Sequence, residues 1–242
     1  MNKISPQPHI GFIPTLNKMG YTVKEPDYYT QKFLDTSFSC PEGHYLDIGA
    51  AFGYFSLPLA EKSIDITACD CDKKHLEIIK NKAKSKSLSI NLVQGYLPNS
   101  LEFPENSFNA ILMAMVIHFL KPEEIEKAIK KLLSWLKPQG KLFITTSTPY
   151  QKNLKSFLPI FEERISEEHP YPGLIENLAN YSPERAPDLP NHNIVYTSET
   201  LSELFKDVPC EIEESQYFTR QCIPEDIYSD GREYVGLIVK KG

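Results

Sequence analysis

Residues His44–Ser56, His-Tyr-Leu-Asp-Ile-Gly-Ala-Ala-Phe-Gly-Tyr-Phe-Ser, constrain this chain more than any other stretch. They open as a short apolar strand that stops at Asp47, and small residues follow at 49, 50, 51 and 53. The run Tyr54 to Lys62 then reads as a helix carrying Phe55, Leu57, Leu59 and Ala60. A strand, a tight turn and a helix N-terminus form the ligand-binding corner of a doubly wound α/β sheet. Gly49 and Gly53 remove the Cβ where the chain must turn sharply or meet a ligand. The first turn of the helix adds unpaired N–H groups.

A dinucleotide site places an anionic pyrophosphate at such a corner and keeps acids away from it. Here Asp47 ends the strand, so the ligand should offer positive charge or N–H donors there. The pattern Asp47-x-Gly49-x-Ala51-x-Gly53 resembles motif I of the class I S-adenosylmethionine-dependent methyltransferases. Their cofactor carries an ammonium and a sulfonium. Ala51 stands where many members have Gly. A rival reading, a nicotinamide-dependent oxidoreductase on a Rossmann fold, is weakened because no Gly-x-Gly-x-x-Gly follows the first strand. A third reading is a non-catalytic regulatory or interaction protein that keeps the fold and binds the cofactor.

The order of elements downstream matches the resemblance. Ile64–Asp70 reads as a second strand that also ends in an acid, and Asp72 caps a helix over 73–86. Asp70 lies 23 residues after Asp47, near the ~20-residue offset at which an acid accepts from ribose hydroxyls. Ser89–Gln94 is a third strand. The run Ala110–Ile117 is a fourth, continuously apolar as for a sheet covered on both faces. Pro122 opens a helix with Glu123 and Glu124 in its first turn, where acids suit the dipole. Residues 136–140 turn into a fifth strand, with Gln139 where the family has Gly. Cys210–Thr219 and Tyr234–Lys240 form a closing antiparallel pair. The resemblance covers about residues 40 to 147.

The expected fold is therefore a doubly wound, Rossmann-like seven-stranded α/β sheet, mostly parallel with an antiparallel final strand. It carries an insertion after the fifth strand. Residues 1–39 read as an N-terminal arm and cap helix, and 40–242 as the methyltransferase domain. In the first part, aromatic residues over 18–39 suit either a lid on the crevice or a cap on the sheet. Residues 149–195, rich in proline, read as the insertion and as a wall of the acceptor site, with helical fragments at 157–166 and 174–181.

The resemblance implies S-adenosyl-L-methionine as cofactor. It assigns Asp47 to the cofactor's aminoacyl end, with Gly49, Ala51 and Gly53 beside it. Asp70 falls at the ribose, and Cys71, Tyr96, Leu97 and Met113 complete the cofactor set. Tyr96 replaces an Asp that often meets the adenine amino group, so it would stack on the ring or face solvent. His118, just past the fourth strand, is the candidate base or acceptor ligand, with His169 and His192 as alternatives. A base matters for a hydroxyl acceptor and less for an amine. The six histidines show no i, i+4 or short-range pairing, which argues against a metal.

The formal charge of −6 gives no basic footprint, so nucleic acid is disfavoured and a small-molecule acceptor expected. No stretch approaches the ~18 to 20 apolar residues of a membrane helix. The start of the chain lacks the apolar core of a secretion signal. Five cysteines, an odd number with no Cys-x-x-Cys pair, suit reduced thiols in a cytoplasm.

Overall fold

The computed structural model describes residues 11–242, so the first ten residues of the expected arm lie outside it. The central sheet has seven strands in the order β10-β11-β7-β6-β3-β4-β5. These are β3 (His44–Ile48), β4 (Asp65–Asp70), β5 (Asn91–Gln94), β6 (Phe108–Ala114), β7 (Leu136–Ser147), β10 (Cys210–Phe218) and β11 (Tyr234–Lys241). Only β11 runs against its neighbours, wedged between β7 and β10. The chain winds outward from β3 through β4 to β5, then crosses back to lay β6 on the other side of β3. That reversal leaves a crevice beyond the carboxyl ends of β3 and β6, the switch point of doubly wound sheets.

Alternation along the strands selects the two covering layers. Tyr45, Ile66, Ala110 and Leu112 meet helices α1 (Tyr28–Ser39) and α2 (Ser56–Glu61), and Ala68 meets α3 (Lys73–Ser85). Leu46, Ile48, Ile111 and Met113 face the opposite layer, built by α4 (Pro122–Trp135) and α6 (Ser198–Glu203). The α4 stripe Ile125, Ala128, Ile129, Leu132 and Leu133 is buried there, as its spacing requires. Asp27 caps α1 by accepting the Thr30 N–H, and Asp72 caps α3 by accepting that of Lys74.

Helix α1 is a sheet helix, not a lid. Tyr29 and Phe33 lie fully buried over β6, β7 and β11, and a Cβ on Gly236 of β11 would fall 2.1 Å from the Tyr29 ring. The crevice is covered instead by a hairpin, β1 (Phe12–Pro14) paired with β2 (Tyr21–Val23). The fourth strand stops earlier than its apolar run. Met115 takes a left-handed φ of 56°, and residues Ile117–Phe119 form a 3-10 turn. The apolar run continues because that turn is itself buried. Residues 136–140, expected as a turn, belong to β7, whose register with β6 shifts between Phe108 and Ala110.

Between β7 and α6 the chain forms α5 (Leu158–Ser166) and a two-residue ladder, β8 (Leu174–Ile175) with β9 (Asn193–Ile194). The helix expected at 174–181 is thus a strand followed by a 3-10 turn at Leu178–Asn180. Gly173 allows this: its backbone passes so near Val195 that a Cβ would lie 1.7 Å from the Val195 carbonyl oxygen. Leu154, Phe157, Phe161, Ile175, Leu178 and Val195 give the segment an apolar core of its own. Among the described residues no helix is long and apolar enough to cross a membrane.

Candidate active site

The crevice is a cleft of about 1020 Å³ at the ends of β3, β4, β5 and β6, open to solvent. It brings together Asp47, Gly49, Ala51, Asp70, Cys71, Tyr96 and Leu97 from the sequence-derived set. Gly53 and Met113 are not on its wall. A Cβ on Gly53 would meet Ile79 and Leu57, so this glycine lets the loop pack on α2 and α3. Met113 is fully buried in the core under α4. From sequence the small loop positions look alike; only packing separates the one facing the cleft from the one facing a helix.

Asp47 is 3 % exposed and accepts the Ser56 hydroxyl. Burial pushes its carboxyl up to about 6, against the pull of that hydrogen bond, and the charge of Asp70 adds to the rise. Gly49 carries φ +78°, and a Cβ there would come within 2.4 Å of a Val116 methyl. Ala51 sits in the same left-handed region at φ 46°, which an L side chain tolerates at a cost of roughly 1 to 2 kcal/mol. Its N–H is aimed at Asp70 Oδ2, 2.9 Å away.

Asp70 is more engaged than its strand-end position suggests. Oδ1 accepts the Asp72 N–H at 2.8 Å and lies 3.0 Å from His75 Nδ1, while Oδ2 accepts from Ala51. A carboxylate has about four lone-pair directions. One is left toward a ligand, where sequence alone suggests two. His75, buried in the first turn of α3, receives the Leu16 N–H on Nε2 at 3.0 Å and so ties the hairpin to this acid. Tyr96 gives its hydroxyl to Glu124 at 3.2 Å and leaves its ring at the cleft. Asn17 of the hairpin reaches Cys71 Sγ at 3.6 Å.

A second cavity, of about 710 Å³, adjoins the first and shares Met19, Tyr21, Met115, Phe119 and Arg220 with it. Its far wall is Gln151, Asn153, Leu154, Ile175, Leu178, Arg185, Leu189, Asn193 and Val195, from the segment after β7. His118 lines this second cavity and not the first. It is 3 % exposed, with Nδ1 3.2 Å from the Thr146 hydroxyl. Burial, and then the charge of Arg220, push its pKa down to about 3, so it is neutral at any ordinary pH. His169 holds the Tyr171 N–H and His192 the Leu120 carbonyl, and neither lines either of these two cavities.

The hairpin, His75 and Arg220 escape a sequence reading. Arg220 follows β10 and reaches the cleft only because β10 and β11 fold back onto β7. His75 carries one local signal, its place in the first turn after a strand-end acid.

The donor set fits S-adenosylmethionine better than a dinucleotide: two acids at adjacent strand ends, and a glycine whose missing Cβ lets Val116 close the loop. A methyltransferase domain model matches residues 46–140. An uncharacterized methyltransferase of Staphylococcus carnosus is 28% identical over 158 residues, covering 61% of this chain and 71% of that protein. Phosphoethanolamine N-methyltransferase 1 of Triticum aestivum is 31% identical over 44% of this chain, which spans only 22% of that protein. A solved SAM-dependent methyltransferase from Methanosarcina mazei shares the fold with a TM-score of 0.61 at 20% identity, covering 83% of this chain and 93% of its own. Residues 46–140 thus form a methyltransferase domain, and the chain around it is similar to the S-adenosylmethionine-dependent methyltransferases.

Proposed function

We propose that the protein methylates a small-molecule acceptor, on oxygen or nitrogen, that enters the second cavity and meets the cofactor where the two cavities join. The observation that carries this reading is that shared wall of Met19, Tyr21, Met115, Phe119 and Arg220. It joins an acid-lined cleft to a mostly apolar chamber. The Triticum relative is named for methylating a small polar molecule, which supports an acceptor of that size. A formal charge of −6 speaks against nucleic acid. All five cysteines are free, in keeping with a cytoplasmic setting.

S-adenosylmethionine, when bound, supplies a methyl group on a positively charged sulfur, open to in-line attack. In this reading Asp47 holds the cofactor's cationic aminoacyl end, and Asp70 takes one ribose hydroxyl on its remaining lone pair. Ala51, Cys71 and Leu97 line the same cleft, and the ring of Tyr96 offers a face to the adenine. The hairpin excludes water. Alignment in a dry site can contribute roughly 7 to 11 kcal/mol to such a displacement. His118 serves as a neutral wall of the acceptor chamber; a base with so low a pKa would accept little proton at neutrality. The 149–195 segment sets which acceptor fits.

The test is transfer of label from methyl-labelled S-adenosylmethionine to a panel of small hydroxyl and amine compounds. Label in one small compound is expected. Label found only in added protein or RNA would contradict the reading.

A further inference from the structure

Two buried arginines, Arg185 and Arg220, line the second cavity, and among the described residues on its wall there is no Asp, Glu or Lys. Their counter-ions, Asp226 and Asp27, line neither cavity and so stand behind the wall. The two arginines are held differently. Arg185 spends a whole edge of its guanidinium, Nε and Nη2, on the two oxygens of Asp226. Arg220 gives only Nη2, to Asp27 Oδ2 at 2.8 Å, because Asp27 Oδ1 accepts the Thr30 N–H at the start of α1. A guanidinium carries five N–H groups, and among the described residues no other acceptor takes one from Arg220. Its charged head, and not just its stem, belongs to the chamber. The guanidinium carbon lies 4.5 Å from the centre of the Tyr234 ring, and its charge acts on His118; both residues line this cavity. Arg220 lines the first cleft as well, so a positive charge stands where the two spaces meet.

That junction has no base to offer. Met19, Met115 and Phe119 have nothing to titrate. Burial, and then the hydrogen bond to Asp188, push the Tyr21 hydroxyl up, so it keeps its proton at neutrality. His118, held down to about 3, takes none. An alcohol, a phenol or an ammonium has to lose a proton before it can attack a methyl group. An ammonium would also sit against the charge of Arg220. A carboxylate arrives already ionised, with an ordinary pKa of about 4. Leaving water for a dry chamber is costly for it unless a cation is there to pair with.

We propose that the acceptor is a small carboxylic acid with an apolar body, whose carboxylate sits against Arg220 at the junction and is methylated there to the ester. This rests on the second cavity being the acceptor site. A carboxylate oxygen attacks the methyl carbon: its lone pair forms the new C–O bond, the methyl–sulfur bond breaks, and that electron pair stays on sulfur. The negative charge of the carboxylate and the positive charge of the sulfonium disappear together. No proton moves, so a junction without a base suffices. Arg220 binds and positions the carboxylate, while Leu154, Ile175, Leu178 and Val195 surround the apolar body.

The test uses the full chain and matched compounds on phenylpropyl and hexyl bodies, each as acid, primary amide, alcohol and amine. A hydroxyphenylacetate joins them, offering a phenol and a carboxylate in one molecule. Label from methyl-labelled S-adenosylmethionine should enter the acids as a methyl ester, which mild alkali releases as labelled methanol. Methyl ethers and methylamines survive that treatment. Calorimetry with S-adenosylhomocysteine present should show the acids binding at least ~10-fold more tightly than their amides. The charge-balanced variant Asp27→Asn/Arg220→Gln should bring acid and amide within ~2-fold of each other, a ratio taken within one variant so that general losses cancel. Its affinity for S-adenosylhomocysteine, which reports folding, should stay within a few-fold of wild type. The wild-type comparison decides even where the variant fails to fold. Alkali-stable label in any compound, a bound acid that takes no label, equal affinity of acid and amide in wild type, no binding of any member, or an acid preference untouched in the variant would overturn the proposal. Failure of S-adenosylhomocysteine to bind wild type would instead overturn the reading of the cleft.

Discussion

His75 Nδ1 lies 3.0 Å from Asp70 Oδ1, both side chains almost wholly buried. The other ring nitrogen accepts the Leu16 N–H, so the proton sits on Nδ1 and is donated to the carboxylate. One histidine thus orients the acid at the end of β4 and fastens the hairpin that covers the cleft.

His75→Ala should therefore loosen both. A hydrogen bond to a charged group is worth about 1.5 to 3 kcal/mol, and Asp70 retains two backbone donors. We expect S-adenosylmethionine to bind about 10-fold more weakly by calorimetry. Amide exchange over residues 16–21 should quicken as well. Weakened binding with unchanged exchange there would separate the hairpin from the acid.

The loop glycines and Ala51 are predicted to behave differently. Ala51→Gly removes a left-handed strain and should stabilise the protein by roughly 0.5 to 1 kcal/mol in denaturant unfolding, with cofactor affinity kept. Gly53→Val should lower stability because its Cβ meets Ile79 at 2.9 Å with φ +74°. The folded fraction should still bind cofactor within a few-fold. A stable Gly53→Val protein that has lost the cofactor would put Gly53 back on the cleft wall.

Much of this site is local in sequence and so legible there. Asp47 and Asp70 end strands whose apolar runs are continuous, and the stretch from strand to loop to helix fixes their positions within a few residues. The remainder depends on distant contacts. Arg220 and Asn153 reach the cavities from opposite parts of the chain, and no spacing announces them. His118 can be located from sequence, but its chemistry cannot. Its low pKa comes from burial beneath Phe119 and beside Arg220, which follows from packing.

Two buried groups shape the pH response with opposite signs. His118 titrates near 6.5 when unfolded and near 3 when folded, so its contribution to stability is full above 6.5 and is lost as pH falls toward 3. Asp47, raised from 3.8 to about 6, contributes stability below 3.8 that is lost as pH rises through 6. Between about 3.8 and 6 the two offset each other. His118→Asn should leave Asp47 alone in charge, so unfolding measurements at pH 7.5 and 4.5 should show the variant gaining stability toward acid relative to wild type. Turnover should show no step near 6.5 that disappears with His118; such a step would restore it as a base.

Cofactor affinity should follow Asp47. A cationic aminoacyl group prefers the ionised carboxylate, so binding should strengthen as pH rises through about 6 and release a proton below it. Calorimetry in buffers of different ionisation enthalpy reads that proton. Proton uptake on binding would contradict the placement of the ammonium at Asp47.

The segment after β7 also supports the hairpin: Tyr21 donates to Asp188 Oδ2 at 2.6 Å, and the Gly20 N–H to the Asp188 carbonyl at 2.8 Å. Replacing residues 151–193 with a short linker should thus abolish acceptor turnover and also weaken cofactor binding several-fold. Cofactor affinity identical to wild type would mean the hairpin stays closed without that support.

The cleft between β3 and β6 is where S-adenosylmethionine should bind. Titration calorimetry of the full chain at pH 7.5 with S-adenosylmethionine, S-adenosylhomocysteine and NAD tests it directly. We predict saturable one-to-one binding of the first two, weakened at least ~30-fold by Asp70→Ala, and no heat from NAD. Binding of NAD with none of S-adenosylmethionine would contradict the account.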